Sequence, residues 1–441
     1  MHAPGGARGA AHGPGAADGA PAAPPHRLLS PPTASHALPA QLDSVNLRRV
    51  QFGLLESSPL VRASRVERKE GDAPDAGLPS GYLLTPSRLP EGALPTLNPQ
   101  TDLTLLRDLR SRVRLGGASL PSCVMYTLSH AEQRVCCATI NASGSRLACG
   151  FADSQVRVWD LDRASRERAE GGNPAATAPF TLTGHAGPVY GVEFTPSEEY
   201  LLSCGGDHSV RLWSTELCAQ LMAYAGHSHP VWTVSSCPRG HYFASGGYDR
   251  TARVWALDSA HARRVFVGHA SDVECVAWHP SCNYVGTGSS DRSCRLWDVA
   301  SGECVRVLAG HAAPPRALSF SPDGRTLATA SDDGAVAVWD LGTAKRLACV
   351  PPGAHGGSGG AGGGVTALAW SAEGALLASG GQDGALRLWD AQASLAAAAA
   401  AGPAAAGAVP LQLAKTLRTR AAQLQTMRFS NKNMLYVTGS R

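Results

Sequence analysis

Residues 268–297 read GHASDVECVAWHPSCNYVGTGSSDRSCRLW, and the first thirteen positions hold His269, Asp272, Glu274, Cys275 and His279. Taken alone, that density of ligating and proton-carrying side chains suggests a metal or hydrolytic site. Set beside the rest of the chain, it sorts differently. Gly-His pairs stand at 184/185, 226/227, 268/269 and 310/311, and a tryptophan follows each histidine 28 residues later, at Trp213, Trp255, Trp297 and Trp339. The histidines recur every 42 residues. A period in that range marks a repeat architecture in which each copy is one supersecondary unit.

The copies also end alike. LLSCGGDHSVRLW, FASGGYDRTARVW, VGTGSSDRSCRLW and LATASDDGAVAVW all place Asp six residues before Trp, and Ser or Thr four before the Asp. LACGFADSQVRVW, closing at Trp159, and LASGGQDGALRLW, closing at Trp389, share the ending. The longer intervals before Trp213 and Trp389 come from the polar, Gly-rich inserts RASRERAEGGNPAATAP and HGGSGGAGGG, which surface loops tolerate. Apolar residues alternate over short runs such as VRLW and VYGVEF, with turn residues such as SPDG after them, the pattern of strands. Pro196, Pro238, Pro280 and Pro322 each follow the repeat histidine by eleven residues and end the first strand, because proline cannot donate within a ladder. Each unit is therefore expected to be a small antiparallel sheet.

A four-stranded unit with a Gly-His opening and a Trp-Asp ending, at Trp159, Trp297, Trp339 and Trp389, resembles the WD40 repeat of β-propellers. The resemblance implies a hydrogen-bonded tetrad per blade. Its members would be His185, Ser203, Asp207 and Trp213; His227, Ser245, Asp249 and Trp255; His269, Thr287, Asp291 and Trp297; and His311, Thr329, Asp333 and Trp339. The sixth unit keeps Ser379, Asp383 and Trp389 and offers only Gly-Ala-His355 at its opening. The first keeps Asp153 and Trp159, with Cys149 where the hydroxyl belongs. A buried indole N–H or imidazole without a partner costs about 1–3 kcal/mol, so a complete tetrad fixes one strand register.

Beyond the six endings, LQTMRFS and MLYVTGS still read as strands around an NKN turn, and CVMYTL at 123–128 has no blade of its own. Pairing them closes a seven-bladed ring and removes exposed edges. The expected organisation is a disordered Ala/Gly/Pro-rich 1–40, a linker 41–114 with one short helix in TDLTLLRDLRSRVRL, and an all-β WD40 propeller over 115–441.

Composition excludes several classes. A hydrophobic content of 44% with 17% charged residues suits a soluble chain, and the Ala-rich run from Leu395 is broken by Pro403 and too weakly apolar to span a bilayer. The twelve cysteines show no CxxC spacing, which argues for a reducing compartment without a zinc framework. The N-terminus lacks the apolar core of a secretory signal. A net charge of +4 is too small to imply direct nucleic-acid binding. A Ser, His and Asp set recurring at fixed spacing in blade after blade argues against an active site, so no enzymatic activity and no cofactor are expected.

The similarity then narrows. The runs LPTLNPQTDLTLLRDLRSRVRLGGASLPSCVMYTL, GFADSQVRVWDL, LTGHAGPVYGVEFTPSEEYLLSC, GHSHPVW and FVGHASDVECVAWHPSCNYVGTGSSDRSCRLWDVASGECVRVLAGH resemble the fifth TBP-associated factors, the WD40 subunits of the general transcription factor TFIID, and their paralogues in the SAGA coactivator. What this implies is a nuclear, non-catalytic scaffold that docks histone-fold TBP-associated factors and other TFIID or SAGA subunits in RNA polymerase II initiation. That family's N-terminal LisH motif and helical dimerisation domain have no counterpart in the low-complexity start of this chain, so bridging through them is not carried over. The alternative is a peptide reader or ubiquitin-ligase substrate receptor, against which stands the lack of any Trp-Asp-x-Arg. Candidate partner-binding residues are Trp232, Asp272, Glu274, Arg250 and Arg292; Asp272 and Glu274 stand out because sister units place proline and Tyr190, Trp232 or Arg316 there.

Overall fold

The computed structural model describes residues 45–46, 115–128, 134–163, 178–353, 355, 363–401, 409–421, 423–430 and 433–440, all within one compact unit, Leu42–Arg441. The disorder expected for 1–40, all but the last residue of the helix expected in 101–115, and most of both inserts lie outside the described residues.

Strand β1 (Ser122–Leu128) is followed by six blades. Blade one is β2 (Val135–Ile140), β3 (Arg146–Phe151), β4 (Val156–Asp160) and β5 (Phe180–Leu182). Blade two is β6 (Val189–Phe194), β7 (Tyr200–Gly205), β8 (Ser209–Ser214) and β9 (Ala219–Ala225). Blade three is β10 (Val231–Ser236), β11 (Tyr242–Gly247), β12 (Thr251–Ala256) and β13 (Ala262–Val267). Blade four is β14 (Val273–Trp278), β15 (Tyr284–Ser289), β16 (Ser293–Asp298) and β17 (Cys304–Ala309). Blade five is β18 (Pro315–Phe320), β19 (Thr326–Ser331), β20 (Val336–Asp340) and β21 (Arg346–Val350). Blade six is β22 (Val365–Trp370), β23 (Leu376–Gly381), β24 (Ala385–Asp390) and, after an excursion, β26 (Gln412–Arg418). The seventh sheet joins β27 (Gln423–Phe429) and β28 (Met434–Ser440) to β1. The innermost strands pack in sequence from β2 through β6, β10, β14, β18 and β22 to β27, and β27 packs on β2, so the ring is closed.

The closing strand has a direction of its own. β1 pairs with β28 in parallel, Ser122 opposite Met434 through Leu128 opposite Ser440, whereas every third strand elsewhere is antiparallel to its second. β1 thus runs as a fourth strand runs while lying beside a second.

Second strands such as β15, β19 and β23 are buried at every position because each is covered by its own blade and the next. Small residues permit this approach. A Cβ on Gly246 would lie 2.7 Å from Val273 Cγ1 of the following blade, closer than real side chains come. Inner-strand indoles tie neighbouring blades, with Trp278 Nε1 donating to Ser235 O at 3.0 Å and Trp370 Nε1 to Ser319 O at 3.0 Å.

The excursion before β26 holds a helix that the sequence reading did not anticipate, α1 (Ala391–Ala401). Alanine is the strongest helix former, and Asp390 caps the start by accepting from Ala393 N at 2.9 Å, the N-cap to N3 bond. The chain then pairs β25 (Val409–Pro410) in parallel with β21, which covers the outer edge of blade five.

Candidate protein-interaction face

The repeat residues converge in relays. In blade three Trp255 Nε1 donates to Ser245 Oγ at 2.8 Å, Ser245 Oγ meets His227 Nε2 at 2.7 Å, and His227 Nδ1 meets Asp249 Oδ2 at 2.8 Å. Since the hydroxyl oxygen already accepts from the indole, its own proton goes to Nε2, and Nδ1–H donates to the carboxylate. Blade two repeats the relay through Trp213, Ser203, His185 and Asp207, with separations of 2.8, 2.7 and 2.9 Å. In blade four Trp297, Thr287, His269 and Asp291 are joined at 2.8, 2.7 and 2.9 Å. The other carboxylate oxygen fixes the next turn by accepting from the amide two residues on, as Asp249 Oδ1 does from Thr251 N at 3.1 Å. The hydroxyl oxygens of Ser203, Ser245 and Thr287 sit on residues with 0% exposure, each committed to an indole. A nucleophile in that position has no approach for a carbonyl.

Three blades depart from the relay. In blade five His311 reaches Thr329 at 2.6 Å and Trp339 donates to Thr329 at 2.8 Å, but Asp333 Oδ2 is buried without a partner among the described residues. Blade six uses the histidine of its Gly-Ala-His opening, which the sequence left outside a complete tetrad. His355 Nε2 lies 2.8 Å from Ser379 Oγ, where Trp389 Nε1 donates at 2.7 Å, and Arg387 Nη1 donates to both His355 Nδ1 at 2.6 Å and Asp383 Oδ2 at 2.8 Å. The arginine reverses the imidazole tautomer, so Nε2–H donates to Ser379. The insert between His355 and Ser379 hides this residue from a fixed period. In blade one Cys149 is buried and Asp153 pairs with Arg157 at 3.1 Å.

These differences predict unequal costs. Asp249→Ala leaves His227 Nδ1–H and the Thr251 amide without acceptors and destabilises by about 2–4 kcal/mol, whereas Asp333→Ala frees only the Ala335 amide, removes an orphaned oxygen and costs about 1 kcal/mol. Urea midpoints of the two variants measured side by side check this; equal losses would contradict the reading of blade five.

One surface device recurs in all seven blades. Every innermost strand carries a β-bulge near its start, and the extra residues are Cys136, Tyr190, Trp232, Glu274, Arg316, Thr366 and Gln425. A bulge re-aims the unpaired side chain out of the sheet's alternation, so seven side chains line one end of the ring of inner strands. The turns between second and third strands lie beside them, and there Ser154, His208, Arg250, Arg292, Gly334 and Gly384 all adopt positive φ.

This face divides into sectors. Tyr190 and Trp232 rings lie 4.8 Å apart, Trp232 and Tyr248 6.4 Å, His229 and Tyr248 5.6 Å, and His208 and His229 6.3 Å. Tyr248 is 53% exposed, and Trp232 Nε1 has no acceptor among the described residues. The next sector is ionic: Arg316 meets Glu274 at 2.8 Å and Asp332 at 3.4 Å, and Ser290 Oγ donates to Glu274 at 2.8 Å. Asp272 accepts from Ser271 Oγ at 2.8 Å. The two distinctive acids of the opening stretch are therefore engaged locally, Glu274 across the blade boundary, while Arg250 and Arg292 are exposed on their turns. Cys275 is buried. His279 is too, bonded to Ser281 Oγ at 2.7 Å and donating to Gly324 O of blade five at 2.8 Å. Among the described residues no His, Cys, Asp and Glu group is arranged to hold a metal.

Six segments, 122–160, 177–214, 218–256, 261–298, 302–340 and 355–390, match the family model described as WD domain, G-beta repeat. The chain belongs to the WD40 repeat family. It is also similar to Transcription initiation factor TFIID subunit 5 of Arabidopsis thaliana, 40% identical over 147 residues that make up 31% of this chain and 22% of that protein. The SAGA complex/transcription factor TFIID complex subunit Taf5 of Schizosaccharomyces pombe is 42% identical over 127 residues, 28% of this chain and 20% of its own length. The Drosophila melanogaster TFIID subunit 5 is 39% identical over 146 residues, 29% of this chain and 21% of its own length. The aligned part of this WD40 chain thus spans about a fifth of those relatives.

Proposed function

We propose that this WD40 propeller is a non-catalytic scaffold in a nuclear RNA polymerase II transcription complex of TFIID or SAGA type, and that it docks histone-fold subunits through its bulge-bearing face. Two facts support the reading. The relatives are named as subunits of those complexes, and the face carries a sector of neighbouring aromatics, Tyr190, Trp232 and Tyr248, with an exposed tyrosine. Clustered Trp and Tyr with satisfied ionic neighbours is the composition that dominates binding energy at protein interfaces. The observation that carries the docking assignment is the aromatic sector, since the salt-bridged sector beside it has little free charge to offer and exposed ion pairs contribute at most about 1 kcal/mol.

Affinity capture of the tagged chain from nuclear extract, read by mass spectrometry, tests the assignment. Recovery of histone-fold TBP-associated factors in stoichiometric amount is expected. Recovery of cullin adaptors or of a single short peptide ligand in their place would overturn it in favour of a substrate receptor or peptide reader.

A further inference from the structure

The outer strands of the blades face solvent along one edge, and two neighbouring ones allow a controlled comparison. Arg264 of β13 donates to the next blade's turn at Val299 O and Ala300 O, at 3.2 and 3.0 Å. Arg306 of β17 makes the same contacts one blade on, to Leu341 O and Gly342 O at 3.1 and 3.0 Å. Val265 and Val307 likewise occupy one register position, opposite Arg253 and Arg295. Yet Arg264 is exposed and Arg306 only 3% exposed, and Val265 is 44% exposed where Val307 is 8%. The turn contacts are alike in the two cases, but blade five, which follows blade four, also carries β25 on its outer strand, and the edge of β17 meets a group that β13 lacks.

The described group at that edge is Asn46. Its Nδ2 donates to Val307 O at 3.1 Å and its Oδ1 accepts from Val307 N at 2.9 Å. A side-chain amide offers one donor and one acceptor side by side, as the backbone of an added strand would. We propose that Val45 and Asn46, a pair in helical conformation, act as an intramolecular strap on β17, the Asn46 amide closing the free edge of blade four at Val307. The strap sits three blades in ring order from the seventh sheet, where the chain enters at β1. It occupies the edge that a partner adding a strand to blade four would need, so such a partner competes with it.

Hydrogen exchange of the full chain, resolved to the Val307 amide, tests this. In the wild type Val307 exchanges slowly and Val265, its uncovered equivalent, exchanges fast. Asn46→Ala accelerates Val307 by roughly tenfold, the loss of two hydrogen bonds at a local opening. Asn46→Asp, which keeps an acceptor but sets a carboxylate against Val307 O, does at least as much, and neither variant changes Val265 or the thermal midpoint appreciably. Unchanged Val307 exchange in both variants would overturn the strap. So would protection that falls on dilution, which would assign the clamp to a second copy.

Discussion

Replacing Trp255 with alanine lowers the unfolding free energy by about 3–5 kcal/mol, the range for deleting a large aromatic from a closed core. The residue is 0% exposed and belongs to two blades at once. Its ring stacks on Phe243 at 6.1 Å and 10° within blade three and meets Tyr224, from the outer strand of blade two, edge-on at 5.8 Å. Its indole N–H holds Ser245, so truncation also leaves the Ser245, His227 and Asp249 relay without its first donor. Trp159 in blade one is half-buried, beside Cys149 in place of a hydroxyl, and Trp159→Ala costs clearly less. Urea denaturation of both variants gives the comparison. A Trp255→Ala midpoint indistinguishable from wild type would remove the relay from the list of what holds the blades.

Acid destabilises the propeller well above the carboxylate range, through three buried histidines. Burial holds the imidazoles of His279, His311 and His355 neutral, lowering each pKa to about 4, with the Arg387 charge adding to the effect at His355. The unfolded chain protonates them near pH 6.5. Between those values the unfolded state binds more protons, so stability is full above pH 6.5 and falls as pH drops toward 4, by about 2–3 kcal/mol for each histidine. The relay carboxylates add a second, lower phase of the same sign. Burial alone would raise Asp207, Asp249 and Asp291, but hydrogen bonds from His185, His227 and His269 and from the turn outweigh it and depress all three. Their contribution is present above the unfolded carboxylate pKa and is lost below it. Urea midpoints are expected to fall steadily from pH 7 to pH 4.5, and His279→Gln, which has no proton to take up, flattens part of that slope. A midpoint constant over this interval would contradict the buried neutral assignment.

The tetrads were legible because repetition exposes them: one His-to-Trp spacing, copied four times, outweighs any local ambiguity. The same repetition picked out His269 as a relay member, whereas the bridge that His279 makes to the next blade is visible only in the fold. Where an insert broke the period, between His355 and Ser379, the sequence named the histidine at the opening of the unit but did not join it to a tetrad, and the fold brings the imidazole to Ser379. Helix α1 escaped because an alanine run carries no apolar periodicity to read. The bulge ring had a signal that strict alternation conceals. Val189 and Val192, Val231 and Val234, and Val273 and Val276 are three apart, where an unbroken strand would place inward residues two apart. That extra residue is where Tyr190, Trp232 and Glu274 sit. The parallel pairing of β1 and the clamp from Asn46 rest on contacts between distant parts of the chain, which no local pattern encodes.

The assignment of the bulge-bearing face as the docking surface is tested most directly by capture from nuclear extract with a double variant, Trp232→Phe with Tyr248→Ala. It removes the exposed Tyr248 ring and trims the Trp232 ring beside it while leaving every tetrad intact. Loss of two interface anchors is expected to cut recovery of histone-fold TBP-associated factors by at least about tenfold with no change in thermal midpoint. Recovery equal to that of the wild-type chain would place the docking surface elsewhere and contradict the assignment.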